Sequence, residues 1–242
     1  MVIGDWTEDR LLDGRVLLRQ PREGLRAGLD AVLLAAAVPA APAERVLEGG
    51  CGSGAAFLCL AARVPGVNLF AVEREPALAE LAIANAAANG IAARVTVTTG
   101  DVRDLALAES LPPMAHAFAN PPFWPAGTPP PATLRARATH ADADLQAWAR
   151  FLAAPLLSGG SLTLILPAAR LVAGLAALDA AGCGAIRVLP CWPRAGVAAK
   201  RVLLQAYKNR RGPSRMEPGI VLHEGSRFTA AAEVILRDAA AL

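Results

Sequence analysis

Arg45-Val46-Leu47-Glu48-Gly49-Gly50-Cys51-Gly52-Ser53-Gly54 decides the fold. A short apolar run closes on an acid, opens into a glycine-rich turn and leads into the alanine-rich stretch 55–63, which reads as a helix. Strand, glycine loop and helix in that order open a parallel α/β unit. Glycines at such a junction let the backbone bend sharply and approach a ligand closely, while the helix N-terminus supplies free N–H groups and partial positive charge. Glu48, Gly50, Gly52 and Gly54 are therefore candidate ligand-binding residues. The loop by itself fits nicotinamide dinucleotides and flavins equally well.

The next two acids narrow the ligand. Asn68 to Glu73 reads as a second strand, and Glu73 ends it about 20 residues after the loop, placed to accept both hydroxyls of a ribose. Pro76 to Asn89 reads as a helix closed by Gly90. Val95-Thr96-Val97-Thr98 is a third strand running into Gly100-Asp101-Val102. Asp101 is placed to accept from the exocyclic amine of adenine, with the Val102 N–H facing a ring nitrogen. Each acid alone also reads as a strand end or helix cap. Three such features at the carboxyl ends of three successive strands describe an adenosine pocket, and it has no Walker lysine, so the ligand need not be a triphosphate.

A fourth strand, Met114 to Ala119, runs into Asn120-Pro121-Pro122-Phe123, at the sheet edge where open α/β folds keep their ligands. The prolines fix φ and hold each preceding residue extended, so the turn is stiff. A stiff turn can aim the Asn120 carboxamide oxygen and the Pro121 carbonyl at one point, with the Phe123 ring as a stacking wall. Two acceptors beside an aromatic face match a planar NH2 on a conjugated ring or an amide. Alone, the tetrapeptide also reads as a proline-rich surface turn. The loop 124–139 is too long for a simple connection and reads as a lid or substrate-facing element. His140 beyond it reads as a helix-start or surface histidine and is left out of the site.

Upstream, residues 5–28 form a small β-rich lead-in turning at Asp13-Gly14, and a helix begins at Asp30, read as its N-cap, to end before Pro39. Downstream come a helix over 143–154, a strand over 161–166, a helix over 168–180, and two strands near 185–190 and 201–207 closing the sheet as a hairpin. A tail with a helix over 229–239 follows. The chain reads as one domain over its 242 residues, divided into lead-in 1–28, core 29–208 and tail 209–242, with no internal repeat.

Composition excludes several classes. A hydrophobic share of 54% with few aromatics suits helices packed on a sheet, and nothing in it suggests disorder. Four cysteines without C-x-x-C spacing and three scattered histidines argue for buried free thiols in a reducing cytosol, not for zinc or disulfides. The N-terminus lacks the pattern of a signal peptide. The uncharged window from Phe151 to Ala169 is cut by Pro155, Ser158-Gly159-Gly160 and Pro167 into pieces too short to span a membrane. The net charge of +3 is small, yet Arg194, Lys200, Arg201, Lys208, Arg210, Arg211 and Arg215 lie in a stretch without Asp or Glu. That cluster suits a phosphate-facing edge or, more plainly, a solvated basic hairpin.

The order of Glu48-Gly49-Gly50-Cys51-Gly52-Ser53-Gly54, Glu73, Gly100-Asp101 and Asn120-Pro121-Pro122-Phe123 resembles class I S-adenosylmethionine-dependent methyltransferases of the amino-group-modifying branch. The lead-in Leu12 to Val16 with Gln20 to Ala35, and the ending Val221-Leu222-His223 with Phe228-Thr229, are most similar to the bacterial tRNA1(Val) (adenine-37-N6)-methyltransferases. The resemblance implies a Rossmann-like fold: a seven-stranded, mostly parallel sheet with an antiparallel last strand and helices on both faces. It implies S-adenosylmethionine as cofactor, with Arg26 and Asp30 beside its methionine end, and an amine held by Asn120 and Pro121 against Phe123. It also implies an RNA substrate, a tRNA, with Lys200, Arg201, Lys208, Arg210 and Arg211 as candidate phosphate contacts. No metal and no membrane are expected, in a cytoplasmic monomer or homodimer. Guanine N2 in rRNA and glutamine N5 in a protein offer the same planar NH2. A nicotinamide-dependent oxidoreductase lacks support from any Tyr-Lys or His-Asp pair, and a non-catalytic RNA-binding relative is the remaining alternative.

Overall fold

The structure, a computed structural model, describes residues 6–23, 26–122 and 145–242. The lead-in is an antiparallel hairpin of β1 (Trp6–Leu11) and β2 (Val16–Pro21). Its turn uses left-handed backbone at Leu12, Asp13 and Gly14. Beyond it lie α1 (Leu29–Ala37), β3 (Arg45–Gly49), α2 (Ala55–Arg63), β4 (Asn68–Glu73), α3 (Pro76–Ala88) and β5 (Val95–Thr99). Then come α4 (Leu105–Ser110), β6 (Met114–Ala119), α5 (Leu145–Ala153), β7 (Leu156–Pro167), α6 (Leu171–Ala180), β8 (Cys183–Arg194) and β9 (Arg201–Lys208). The tail holds β10 (Arg215–Met216), β11 (Ile220–Glu224), β12 (Arg227–Phe228) and α7 (Ala230–Asp238).

Seven strands follow the expected plan, in the order β5-β4-β3-β6-β7-β9-β8, with β9 antiparallel to both neighbours. The described sheet nevertheless has ten strands, because the tail extends it. β10 and β11 pair parallel with the outer edge of β8, and β12 folds back on β11. The sequence predicts only a helix for the tail. β10 and β12 are two residues each, too short to carry a pattern, and β11 begins with an apolar run, Ile220-Val221-Leu222, that pairs with the edge β8 leaves open.

The central strands read as continuous apolar runs because both faces of the sheet are covered. One face packs α1, α2, α3 and α7 around Phe57, Phe118 and Leu33; the other packs α4, α5 and α6 around Phe151, Met114 and Leu152. Burying each of these side chains stabilises the fold by roughly 1.5–3 kcal/mol. All four cysteines are free and buried. Among the described residues no helix is long and apolar enough to cross a membrane.

Three local readings need correction. α1 starts at Leu29 with Gly28 at the N-cap, and Asp30 lies inside the first turn, where it pairs with Arg201 instead of capping. β7 and β8 are each twelve residues long, well beyond the ranges expected for them. The short α4, unexpected from its sequence, is capped by Asp104, whose carboxylate accepts from the N–H groups of Ala106 and Leu107.

Candidate active site

The carboxyl ends of β3, β4, β5 and β6 meet along one edge of the sheet. The glycine loop after β3 folds back on β4: the Gly50 and Cys51 N–H groups both donate to the Val72 carbonyl, at 2.7 and 3.2 Å. Glu73 closes the arrangement. One carboxylate oxygen accepts from Gly52 N–H at 2.8 Å and the other from Glu75 N–H at 2.9 Å. Each oxygen keeps a lone pair for a further donor such as a ribose hydroxyl.

The loop glycines do different work. Gly50, Gly52 and Gly54 all have positive φ, so any L side chain is strained there. A Cβ on Gly50 would lie 2.4 Å from the Trp148 indole, and one on Gly54 would lie 2.4 Å from the Phe57 ring, so these two positions are closed by the protein's own packing. A Cβ on Gly52 would meet nothing within 4 Å. Gly52 is thus the loop glycine that fronts open space. Trp148 and Leu152 on α5 press on Gly49 and Gly50 from below, together with Val102.

Glu48 is 3% exposed and accepts from the Phe57 N–H at 3.0 Å, in the first turn of α2. Burial, with the Glu73 charge adding to it, pushes the Glu48 carboxyl well above its usual range. Asp101 follows β5. Arg103 grips its carboxylate through the side chain, with Nε at 3.0 Å, and through its backbone N–H. That pairing holds the Asp101 pKa below its ordinary value. Asp101 stays ionised as an acceptor, and an incoming amine would share it with Arg103.

Asn120 is half-buried and Pro121 buried, directly beyond Ala119, which pairs with Gly49 on one side and Leu164 on the other. The register therefore sets the Asn-Pro corner level with the start of the glycine loop, one strand away, about 4.8 Å. Phe123 and His140 lie outside the described residues. Arg26 donates to Asp9, Thr7 Oγ1 and the Pro21 carbonyl, so its guanidinium is engaged with the hairpin. Asp30 holds the Arg201 Nε at 2.8 Å near the carboxyl end of β7.

The basic stretch does not form one rim. β9 carries Arg201 at one end and Lys208 at the other, seven steps along a strand, or about 23 Å. Lys200 and Arg201 stand at the edge that holds the glycine loop. Lys208 sits at the opposite edge, its Nζ donating to the Ala153 and Ala154 carbonyls at the end of α5. Arg210 and Arg211 line a separate cavity there with Asp179, Gly182 and Asn209. Periodicity predicts a strand at 201–207, and a strand of that length carries the two ends of a linear charge cluster apart.

Three contributors are absent from the sequence expectations. Asn85 on α3 is fully buried; its amide donates to the Ser53 carbonyl in the glycine loop and to the Arg19 carbonyl, and accepts from Arg19 N–H. Asn89, one turn on, makes the same pair of bonds to Leu17. The signal is present in the sequence: two amides at i and i+4 in an otherwise alanine-rich helix. Trp148 gives no comparable sign. Among the described residues no group of three or more His, Cys, Asp or Glu could hold a metal ion.

Residues 46–122 match the family model described as a methyltransferase domain. The chain is 30% identical to a tRNA1(Val) (adenine(37)-N6)-methyltransferase of Actinobacillus succinogenes, over 89% of this chain and 90% of that protein. It is 34% identical to the protein of that name from Aeromonas hydrophila, over 84% of each. Its fold is similar to the crystal structure of a predicted O-methyltransferase from Agrobacterium tumefaciens, with TM-score 0.73 and 28% identity over 88% of this chain and 98% of that one.

Proposed function

Because the chain belongs to the tRNA1(Val) (adenine(37)-N6)-methyltransferase family, we propose that it methylates the exocyclic amine of an adenine in a tRNA, adenine 37 by that kinship. The observation that carries the reading is the Asn120-Pro121 corner set one strand from a glycine loop that Glu73 already clamps. S-adenosylmethionine, when bound, supplies a methyl group that carries its own leaving group. The residues present suit it: open space at Gly52, lone pairs on Glu73 for a ribose, and an ionised Asp101 for an adenine amine.

The work left to the protein is to prepare the acceptor. The lone pair of an aromatic NH2 is delocalised into its ring, so the amine is a weak nucleophile. Asn120 Oδ1 and the Pro121 carbonyl accept its two N–H bonds off the ring plane, drawing the nitrogen toward tetrahedral geometry and turning its lone pair to the cofactor side. Positioning and dipoles placed for the cationic product then supply most of the acceleration. The surplus proton leaves after transfer, so no strong base is required. A hydroxyl acceptor has a single hydrogen and would leave one of the two acceptors unmatched. An anticodon-loop base is partly unstacked already, which makes its extrusion into the pocket easy. The cytoplasm is the proposed compartment on the same grounds.

Methyl-labelled S-adenosylmethionine incubated with total tRNA, total protein and buffer alone tests the reading. Label recovered as N6-methyladenosine in tRNA is expected. Label recovered only in protein, or as N2-methylguanosine, overturns it.

A further inference from the structure

We propose that the tail completes an RNA-holding rim: the β8–β9 connection and the β11–β12 turn together grip single-stranded nucleotides flanking the target base, with Phe228 stacking on a base and Arg194, Lys200 and Arg227 on phosphates. This inference rests on the methyltransferase reading. It starts from strand direction. β8 and β11 run parallel to β3, so their carboxyl ends, Arg194 and Glu224, reach the edge that holds the glycine loop. β9 runs the other way, so its first residues, just after Lys200, lie at that same edge.

Two hydrogen bonds fuse the neighbouring turns into one surface. Arg194 Nε donates to the Gly225 carbonyl at 3.3 Å, and the His223 ring bonds the Pro193 carbonyl at 3.2 Å. On that surface His223 and Phe228 stack with ring centroids 4.6 Å apart, and the phenyl remains 36% exposed. Arg194, Lys200 and Arg227 are exposed along the same edge of the sheet. Across residues 191–201 and 220–228 the one carboxylate is Glu224. Cations around a half-exposed aromatic stack are the chemistry of single-stranded nucleic acid binding, in which bases stack and cations track the backbone. The rim spans two to five strand positions from β6, from Lys200 before β9 to Phe228 on β12, about 10–24 Å. That distance suits flanking nucleotides and not the target base.

The test compares wild type with R194E/K200E/R227E and with Phe228→Ala, using a short anticodon stem-loop RNA and, separately, S-adenosylmethionine. The triple variant is expected to raise KM for RNA at least about tenfold, and to make the fall of log affinity with log salt shallower by about 0.7 for each phosphate no longer neutralised. Phe228→Ala is expected to weaken RNA binding with an unchanged salt slope. Cofactor affinity and Tm stay near wild type in both, which separates weakened RNA recognition from misfolding. RNA affinity and slope that match wild type in both variants overturn the rim. So does a weakening seen instead with R210E/R211E, which would put the RNA at the opposite edge. If wild type neither binds nor methylates RNA, the underlying functional reading falls first and takes the rim with it.

Discussion

At the scale of single residues, the site separates groups that act on the acceptor from groups that hold the loop. Asn120→Ala removes one of two acceptors at the Asn-Pro corner. The expected result is a loss of roughly a hundredfold in kcat, comparable to losing one preorganised polar partner, with cofactor Kd changed by less than about threefold. Single-turnover kinetics beside calorimetric titration with cofactor checks it, and equal loss of both refutes the role. Gly50 and Gly52 test the loop. Alanine at either position is strained by the left-handed backbone, about 1–2 kcal/mol, but at Gly50 it also drives into Trp148, adding about 1–3 kcal/mol of overpacking. Gly50→Ala is therefore expected to lower Tm more than Gly52→Ala, and Gly52→Ala to lower cofactor affinity out of proportion to its Tm. Glu48 offers a third check. Its carboxyl is pushed up by burial, so the native state holds that proton more tightly than the unfolded chain does, and stability is lost as pH rises through the folded value. Glu48→Gln keeps an acceptor for Phe57 N–H without the buried charge. Its Tm relative to wild type is expected to rise between pH 5 and pH 8.

At the scale of elements, the hairpin of β1 and β2 is tied to α3 by side-chain amides acting as a substitute strand. Asn85→Ala strands buried backbone groups of Arg19 and the Ser53 carbonyl, at about 1–3 kcal/mol for each group left unpaired. Faster amide exchange at Arg19, whose N–H loses its acceptor, together with weaker cofactor binding is the expected signature. Exchange unchanged from wild type would show that the hairpin is held by other means. This scale also shows how far the sequence can be read. The β/α alternation from Arg45 to Ala119, the hairpin turn and the acid at the end of β4 are legible, because each is set by local periodicity or turn chemistry. The tail strands and the length of β8 are not, because they depend on edges offered by distant residues, and α4 is not, because six residues are too few to show a helical period. The charge cluster shows the difference most plainly: Lys200 and Lys208 are near in sequence, and β9 sends them to opposite ends of the molecule.

At the scale of the whole molecule, the edge opposite the site carries a polar network of its own. His116 on β6 bonds Ser161 Oγ at 2.7 Å through Nδ1 and Glu44 at 3.0 Å through Nε2. Burial lowers its pKa below the ordinary 6.5, outweighing the pull of Glu44. The unfolded chain therefore takes up this proton first, and stability is expected to fall as pH drops from about 6.5 toward the lower folded value. Denaturant melts across that window should show the slope in wild type and lose it in His116→Asn, whatever the overall stability of the variant. Ser161 is fully buried, so this trio braces three strands and offers no nucleophile.

Finally, the glycine loop is already laid against Val72 and clamped by Glu73. A pocket that arrives in its bound shape gives up little conformational entropy on capture. Cofactor association should then show no slow isomerising phase in stopped flow, and a heat-capacity change set by the small area of contact alone, without the larger signature of coupled folding.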